Sequence, residues 1–522
     1  MKMVRSLVLG AMAALAGMSG AQAADLPVKA KPVEYVRICS LYGAGFFYIP
    51  GTDTCIKIGG YLRVETAFNG GVFGSYYNGI NATNDRYRNY FNARSREDLN
   101  IDTRTATEYG VLRTFFDATF SWTTGTLGVT PVGTVFGNDQ IAGGTLGVYY
   151  AFIQFAGFTM GKAISQFSLP WTNYPANNYD NLVGGGGDVT GVNQLSYTWQ
   201  FGNGTSFSLS AQDPYVYYYA GLFNTSFPGV SAANPLNTVI LGNIGTGGLS
   251  LGGATPYGIG TQGGTVAPDL VAKFAIEQAW GLFQASFAAH DNHAGFYTAT
   301  NELSGHPGDK WGWAGQLGMS FNLPMLGPGD SLNISGVYTN GASRYNFQDL
   351  VPTTFAMFGG ASAFGYQSLG FAQVTDAVFA GTNVLNGDTT GLQLVSTWGF
   401  RGGYTHNWNP YWNTSIFGAW AQVQYNGLAK TLICTNITAV SVPGTGFTCN
   451  PDFSIGQIGT KTAWTPVKNL TFSGEVVYSN LDQKYTGAVT LPAIGALAKP
   501  GAIYDLKDQS TWTFLARAQR NW

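Results

Sequence analysis

Arg94, Arg96, Asp98, Asn100, Asp102 and Arg104 occupy every second position of one stretch, and in an extended strand residues two apart share a face. Arg63 and Glu65 before this row, and Arg113 and Asp117 after it, repeat the alternation against apolar neighbours. A hydrolytic carboxylate pair could be assembled from Asp98 and Asp102, but both sit among arginine partners and nothing singles them out. His290, His293 and His306 offer imidazoles to a metal without any further ligand pattern. The glycines at 184–187 lack the Lys-Ser/Thr of a phosphate loop and read as a flexible run. The expectation is no catalytic residue, no metal and no cofactor. What remains is electrostatic: a basic wall of Arg63, Arg94, Arg96, Arg104 and Arg113, with Asp180 and Asp188 on a segment facing it. In a narrow, partly water-excluded space, arginines opposite acids set a transverse field that orients dipolar solutes. The same residues also read as paired ions that stabilise the wall.

Such a row needs neighbouring strands to position it. From Ile56 onward the chain alternates strands of about ten residues with gaps that are short and long in turn, the pattern of a membrane barrel. Ile58, Leu62, Val64 and Phe68 oppose Tyr61, Arg63 and Glu65, and Leu112, Phe116 and Phe120 oppose Arg113, Phe115 and Asp117. Hairpin signals such as Gly202-Asn203-Gly204 mark short turns, and His406-Asn407-Trp408 reads as the connection between strands near 389–401 and 411–423. One strand, seven hairpin pairs and a closing strand over Ser510–Trp522 make sixteen, an even number that lets the sheet close on itself. The predicted fold is all-β, a 16-stranded antiparallel transmembrane β-barrel over residues 56–522. On the closing strand Trp512, Phe514, Ala516, Ala518 and Trp522 share one parity, which fits an aromatic girdle and a C-terminal assembly signal carried by Phe514 and Trp522.

The third long gap, 161–190, interrupts this rhythm. It holds two prolines and four consecutive glycines, so it is no strand, yet its aromatics need a packing surface. The expectation is a segment folded into the barrel mouth that narrows it.

Composition agrees with a membrane wall. Charged residues are 10% and aromatics 15% of the chain, Gly numbers 72, and the mean hydropathy is only +0.02. Beyond the leader no apolar run is long enough for a transmembrane helix, which leaves the closed barrel as the way to cross a bilayer. Lys2 and Arg5, the apolar run Leu7–Met18 and Ala21-Gln22-Ala23 read as a signal peptide, residues 1–23. Its removal would leave 24 basic against 28 acidic residues, a formal charge of −4, and no nucleic-acid partner is expected. An N-terminal segment, 24–55, precedes the barrel. Cys39 with Cys55 and Cys434 with Cys449 are the simplest of three disulfide connectivities; a four-thiolate metal site is the alternative, without CxxC spacing.

The stretches Cys39–Gly43, Gly51–Arg63 and Thr105–Gly110, the start Ala24-Asp25-Leu26-Pro27 and the terminal Trp522 resemble the alphaproteobacterial, rhizobial and Brucella-type porin family. The resemblance implies a homotrimer in the bacterial outer membrane, embedded in lipid and lipopolysaccharide, passing small hydrophilic solutes and ions passively with its third long loop folded inward. The long gaps 213–267 and 342–388 look expanded for a general porin. Two alternatives remain: a solute-specific channel with Trp171, Tyr174 and Tyr179 as a binding track, and a surface adhesin or phage receptor using the outer loops.

Overall fold

The computed structural model describes residues 37–522 apart from 70–83, 85, 87–89, 124–143, 227–253, 256–257, 299–300, 382–388, 492 and 494–498. The expected signal peptide and the start of the N-terminal segment lie outside the described residues. The chain divides into two compact units, Met1–Ile56 and Lys57–Trp522.

In the first unit, Phe47–Tyr48 pairs antiparallel with Cys55 and Ile56. Cys39 and Cys55 are disulfide-bonded with Cα atoms 6.0 Å apart, and with Phe46 they form a small buried cluster.

The second unit is built on sixteen strands: β1 (Cys55–Phe68), β2 (Phe91–Thr107), β3 (Gly110–Thr123), β4 (Thr145–Phe155), β5 (Phe158–Ala163), β6 (Val192–Gly202), β7 (Thr205–Gln212), β8 (Asp269–Gln278), β9 (Gly281–Asn292), β10 (Lys310–Asn322), β11 (Ser331–Asn340), β12 (Ser396–Asn409), β13 (Trp412–Gln424), β14 (Phe453–Val467), β15 (Leu470–Gln483) and β16 (Gln509–Asn521). Neighbours in sequence are neighbours in the sheet, and β16 pairs with β1 over Tyr61↔Asn521 to Phe68↔Phe514, so the wall closes and leaves no edge strand. The alternation read from the sequence is the alternation of faces: on β1, Leu62 and Val64 are each 49% exposed while Glu65 is 1% exposed. Outward aromatics gather in two belts, Trp398 against Trp420 at 4.4 Å and Trp412 against Trp464 at 5.7 Å. Trp412 and Trp420 are eight residues apart on β13, about 27 Å along a strand, which suits a tilted crossing of the apolar layer. Phe514 and Trp522 are half-exposed on the outer parity of β16.

Two boundaries differ from the expectation. β12 begins at Ser396 and runs through His406-Asn407-Trp408, because pairing with β13 continues to Asn407↔Asn413 and a bulge then delivers the turn at Pro410-Tyr411. The gap before β14 holds a helix, α1 (Gly427–Val440), which the strand pattern does not announce. Asn426 caps it by accepting from the Ala429 amide at 2.9 Å, and Cys434 is disulfide-bonded to Cys449 with Cα atoms 5.7 Å apart.

The long loops carry structure of their own. One five-stranded sheet joins Leu222–Asn224, Ala254–Thr255 and Gly258–Gly260 of the fourth loop to Ala377–Phe379 and Gln393–Leu394 of the sixth. A second joins Thr354–Phe358 and Gln367–Gln373 of the sixth loop to Val442–Pro443, Ala488–Leu491 and Ala502–Leu506. The largest buried cluster lies inside the barrel: Phe347, Phe355 and Phe371 of the sixth loop and Tyr179 and Leu182 of the third meet inward-facing Phe417 and Val423 of β13 and Leu481 of β15. The β12–β15 side of the barrel is thus filled with protein, and open space is left toward β1–β4.

Candidate channel constriction

The third long loop, residues 164–191 between β5 and β6, follows the inner wall around half the barrel. Near its start, Gln284 of β9 and Gln316 of β10 donate to the Phe167 carbonyl, and Gln284 also donates to that of Ser168. Asn333 of β11 then holds Pro175 O at 2.6 Å. At the far end the Asn178 amide donates to Glu475 of β15 at 2.6 Å, and Arg517 of β16 donates to Asn178 O at 3.0 Å. The chain doubles back, with Val183 N on Gln457 of β14 and Gly186 N on Gln316. Inward-facing glutamine, asparagine and arginine side chains thereby satisfy loop backbone that is buried away from water.

The run 184–187 is packed rather than flexible, which corrects the sequence reading. Gly184 has φ of 81°, and a Cβ on it would lie 2.2 Å from Phe400 O; one on Gly186 would lie 2.4 Å from the Phe167 ring. Arg401, 1% exposed on β12, reaches between the two arms of the loop and donates to Thr172 O at 2.6 Å and Gly186 O at 3.0 Å.

The sixth loop braces the third from behind. Asn346 O accepts from the Gly184 and Gly185 amides, Gln348 donates to Asp180 O at 2.6 Å, and Asn173 donates to Gln348 at 2.7 Å. The stretch 342–388, expected as an outer loop, enters the barrel in part because it carries the phenylalanines of the buried cluster.

Between the loop and the β1–β4 wall lies a cavity of about 520 Å³. Arg63, Arg94, Arg96, Tyr149, Asp180 and Leu350 are among its lining residues. Register explains the wall: across β2 and β3 the pairs Arg104↔Arg113, Asp102↔Phe115 and Asn100↔Asp117 face the lumen together. The five expected arginines do converge on this side, but in two states. Arg94 is buried and ion-paired with Glu65, with Asp180 at 3.7 Å; Arg517 donates to the other Glu65 oxygen at 2.7 Å. Arg104 and Arg113 both grip Asp102, at 2.9 and 3.0 Å. Arg63 instead donates to Gln519 at 2.8 Å and lies over the Tyr61 ring, and Arg96 donates to Ser121 at 2.8 Å and lies over Tyr149. Neither has a carboxylate within ion-pair distance among the described residues. Asp98 and Asp117 line the same cavity, across the β2–β3 pairing from one another's strands.

Of the two loop acids, Asp180 faces the wall and accepts from Tyr174 at 2.9 Å. Asp188 does not: it is fully buried within the loop base, accepting from the Ser165 amide at 2.7 Å. The tight return of the chain past the packed glycines turns it away from the arginines. Burial, with the Asp349 carboxyl beside it, pushes Asp188 up to about 7. A carboxyl raised in the folded state favours folding while protonated, so this contribution is full near pH 4 and is lost as pH rises through 7. The temperature of the heat-induced gel shift is expected to be lower at pH 8 than at pH 5, and Asp188→Asn to shrink that difference. A shift temperature that climbs with pH would contradict this.

Tyr179 is 1% exposed and cannot meet a solute, and only Tyr174 of the three loop aromatics lines the cavity. The arrangement also recruits residues that the sequence reading did not single out: Arg517, Tyr149, Tyr150 and Leu350. Arg517 stands on the inward parity of β16, a signal present in the strand pattern.

The model of the Porin subfamily matches residues 25–515. Among curated proteins, porin Omp2b of Brucella suis biovar 1 is 38% identical over 206 residues, 39% of this chain and 52% of that protein, and porin Omp2b of Brucella melitensis biotype 1 is 37% identical over the same length. The chain spans about half the length of these curated relatives. Among solved structures, the outer membrane channel DcaP of Acinetobacter baumannii superposes with a TM-score of 0.53 at 13% identity, over 91% of this chain and 99% of that one, a likeness of fold. The subfamily match takes in the inward loop and reaches into the closing strand, nearly the whole length of the sequence, and on that ground the chain belongs to the Porin subfamily, a barrel of the bacterial outer membrane.

Proposed function

We propose that the barrel is a water-filled channel for passive diffusion of small hydrophilic solutes and ions, with anions favoured at its narrowest level and no catalytic step. The observation that carries this reading is the pair Arg63 and Arg96, open to the 520 Å³ cavity without a carboxylate partner among the described residues, while Asp102 and Glu65 occupy the other arginines. Arg94 is taken by Glu65 and Asp180, so the guanidiniums that stand outside ion-pair distance of a carboxylate among the described residues are the ones a passing anion meets at the aperture. The same proposal holds a homotrimer set in lipid and lipopolysaccharide, export after cleavage at Ala23, and the aromatic end of β16 as an assembly signal. Its support is the half-exposed apolar outer face, which needs lipid or a second copy to cover it.

The test is conductance of the purified protein in a planar bilayer under a potassium chloride gradient. Ohmic steps with a reversal potential of the sign set by chloride are expected. Folded protein that carries no current would defeat the channel, and a potential of the opposite sign would defeat the arginine filter alone.

A further inference from the structure

From the aperture downward the lumen wall holds a feature that ion passage does not require. At the pairing of β3 with β4 the register shifts between Asp117 and Ala118, opposite Tyr150 and Val148, which leaves Tyr149 as the extra residue of a bulge. The bulge turns Tyr149 and Tyr150 both toward the lumen, where both line the cavity. From there the rings descend in sequence: Tyr149 to Tyr150 at 6.4 Å, Tyr150 to Phe115 at 6.2 Å, and Phe115 to Phe152 at 5.4 Å with planes 29° apart. Each end carries a guanidinium, Arg96 5.7 Å from the Tyr149 centroid and Arg113 5.5 Å from that of Phe152 and 5.0 Å from that of Phe115.

Phe115 and Phe152 belong to none of the buried clusters and remain partly exposed on a face that also carries Arg113, Asp117 and Gln154. On β13 the inward apolar residues are covered by loops, but here two phenylalanines face the open side of a polar lumen. Exposed apolar area of this kind carries a standing cost in water that a passing flat solute relieves. The two guanidiniums differ in what they can offer. Arg113 is committed to Asp102 and Gln154, whereas Arg96 keeps its charge free of a carboxylate, beside Arg63. The upper end of the stair can therefore hold an anionic group while the rings below take an apolar face.

We propose that this stair is a transit site for small aryl carboxylates, the carboxylate resting at Arg96 and Arg63 and the ring stacking successively on Tyr149, Tyr150, Phe115 and Phe152. Stacking on faces rather than hydrogen bonding along edges distinguishes this solute class from neutral sugars, since Phe115 and Phe152 present no hydroxyl. The inference rests on the channel reading above.

The test records single-channel current in potassium chloride with benzoate or acetate added at equal concentration. Benzoate is expected to interrupt the current with dwell times about tenfold longer than acetate, because ring stacking and guanidinium contacts add for benzoate alone. Phe115→Leu with Phe152→Leu keeps apolar volume and removes the ring faces; it is expected to shorten benzoate dwell about fivefold while the potassium chloride conductance and reversal potential stay as in the native protein. Phe152→Leu alone, at the foot of the stair and away from the aperture lining, gives the same readout should the double variant not fold. Equal dwell for the two anions, unchanged benzoate dwell in the variants, or a neutral sugar blocking as well as benzoate overturns the stair while chloride current still supports the channel. No chloride current at all removes the channel reading and the stair with it.

Discussion

Replacing Arg63 and Arg96 together by alanine is expected to carry the reversal potential through zero toward the cation side. The two guanidiniums are the charges at the aperture that no carboxylate balances within ion-pair distance among the described residues, so their loss leaves Asp98, Asp117 and Asp180 to set the local sign. A unit charge about 5 Å from a permeating ion contributes about 1 kcal/mol in bulk water and more in a restricted space. The chloride-to-potassium permeability ratio should therefore fall about fivefold to tenfold for the pair at low salt, and less at high salt as screening grows. Arg104→Ala with Arg113→Ala is the comparison. Those arginines share Asp102, and although losing both changes the charge by the same two units, neither lines the cavity at the aperture, so the smaller shift is expected from them. Comparable shifts from the two double variants would refute the division of the wall into filter and framework.

Gly186→Val is expected to raise single-channel conductance severalfold by lifting the third loop. A Cβ at this position would lie 2.4 Å from one Phe167 ring atom and 2.8 Å from Tyr345 O, and Phe167 and Tyr345 are in edge contact at 4.6 Å. Overpacking at such a site costs about 1–3 kcal/mol, concentrated where the loop meets β10 and β12 and away from the barrel's own ladders. The wall should still run as a folded barrel in an unheated gel, so conductance can be read on an intact protein. Gly427→Ala, with open space around its Cβ on α1, serves as the matched control. A folded Gly186→Val channel of native conductance would mean that the loop does not set the aperture.

The barrel was legible because a strand has a period of two and a lipid face demands apolar side chains at every second position. Leu62, Val64, Trp512 and Phe514 report their outward direction directly. Other features depend on contacts that no local period encodes. Phe417, Ala419, Ala421 and Val423 are apolar on the inward parity of β13, beside outward Ile416 and Trp420. Apolar residues on both faces are the trace of protein packed inside the barrel, a signal present in the sequence and readable only once the strand's two sides are assigned. The glycine run shows the same limit, since composition suits flexibility and close approach alike and only the neighbours Phe167, Asn173 and Arg401 decide. Parity likewise brought five arginines to one wall, but which of them are neutralised turned on side-chain reach, with Glu65 drawing Arg94 and Arg517 while Arg63 went to Gln519. Asp188 was misplaced because its direction follows from the path of a loop that has no repeat.

The seam of the barrel, where β1 meets β16, joins Arg63 to Gln519 and Glu65 to Arg517, so one arginine of the proposed filter takes its hydrogen-bond partner from the last strand to be made. A chain still short of its final strand has no finished filter, and Glu65 then lacks Arg517, one of its two cations. On the channel reading the seam thus doubles as a completion check: the contact that holds Arg63 forms at the same step that seals the wall.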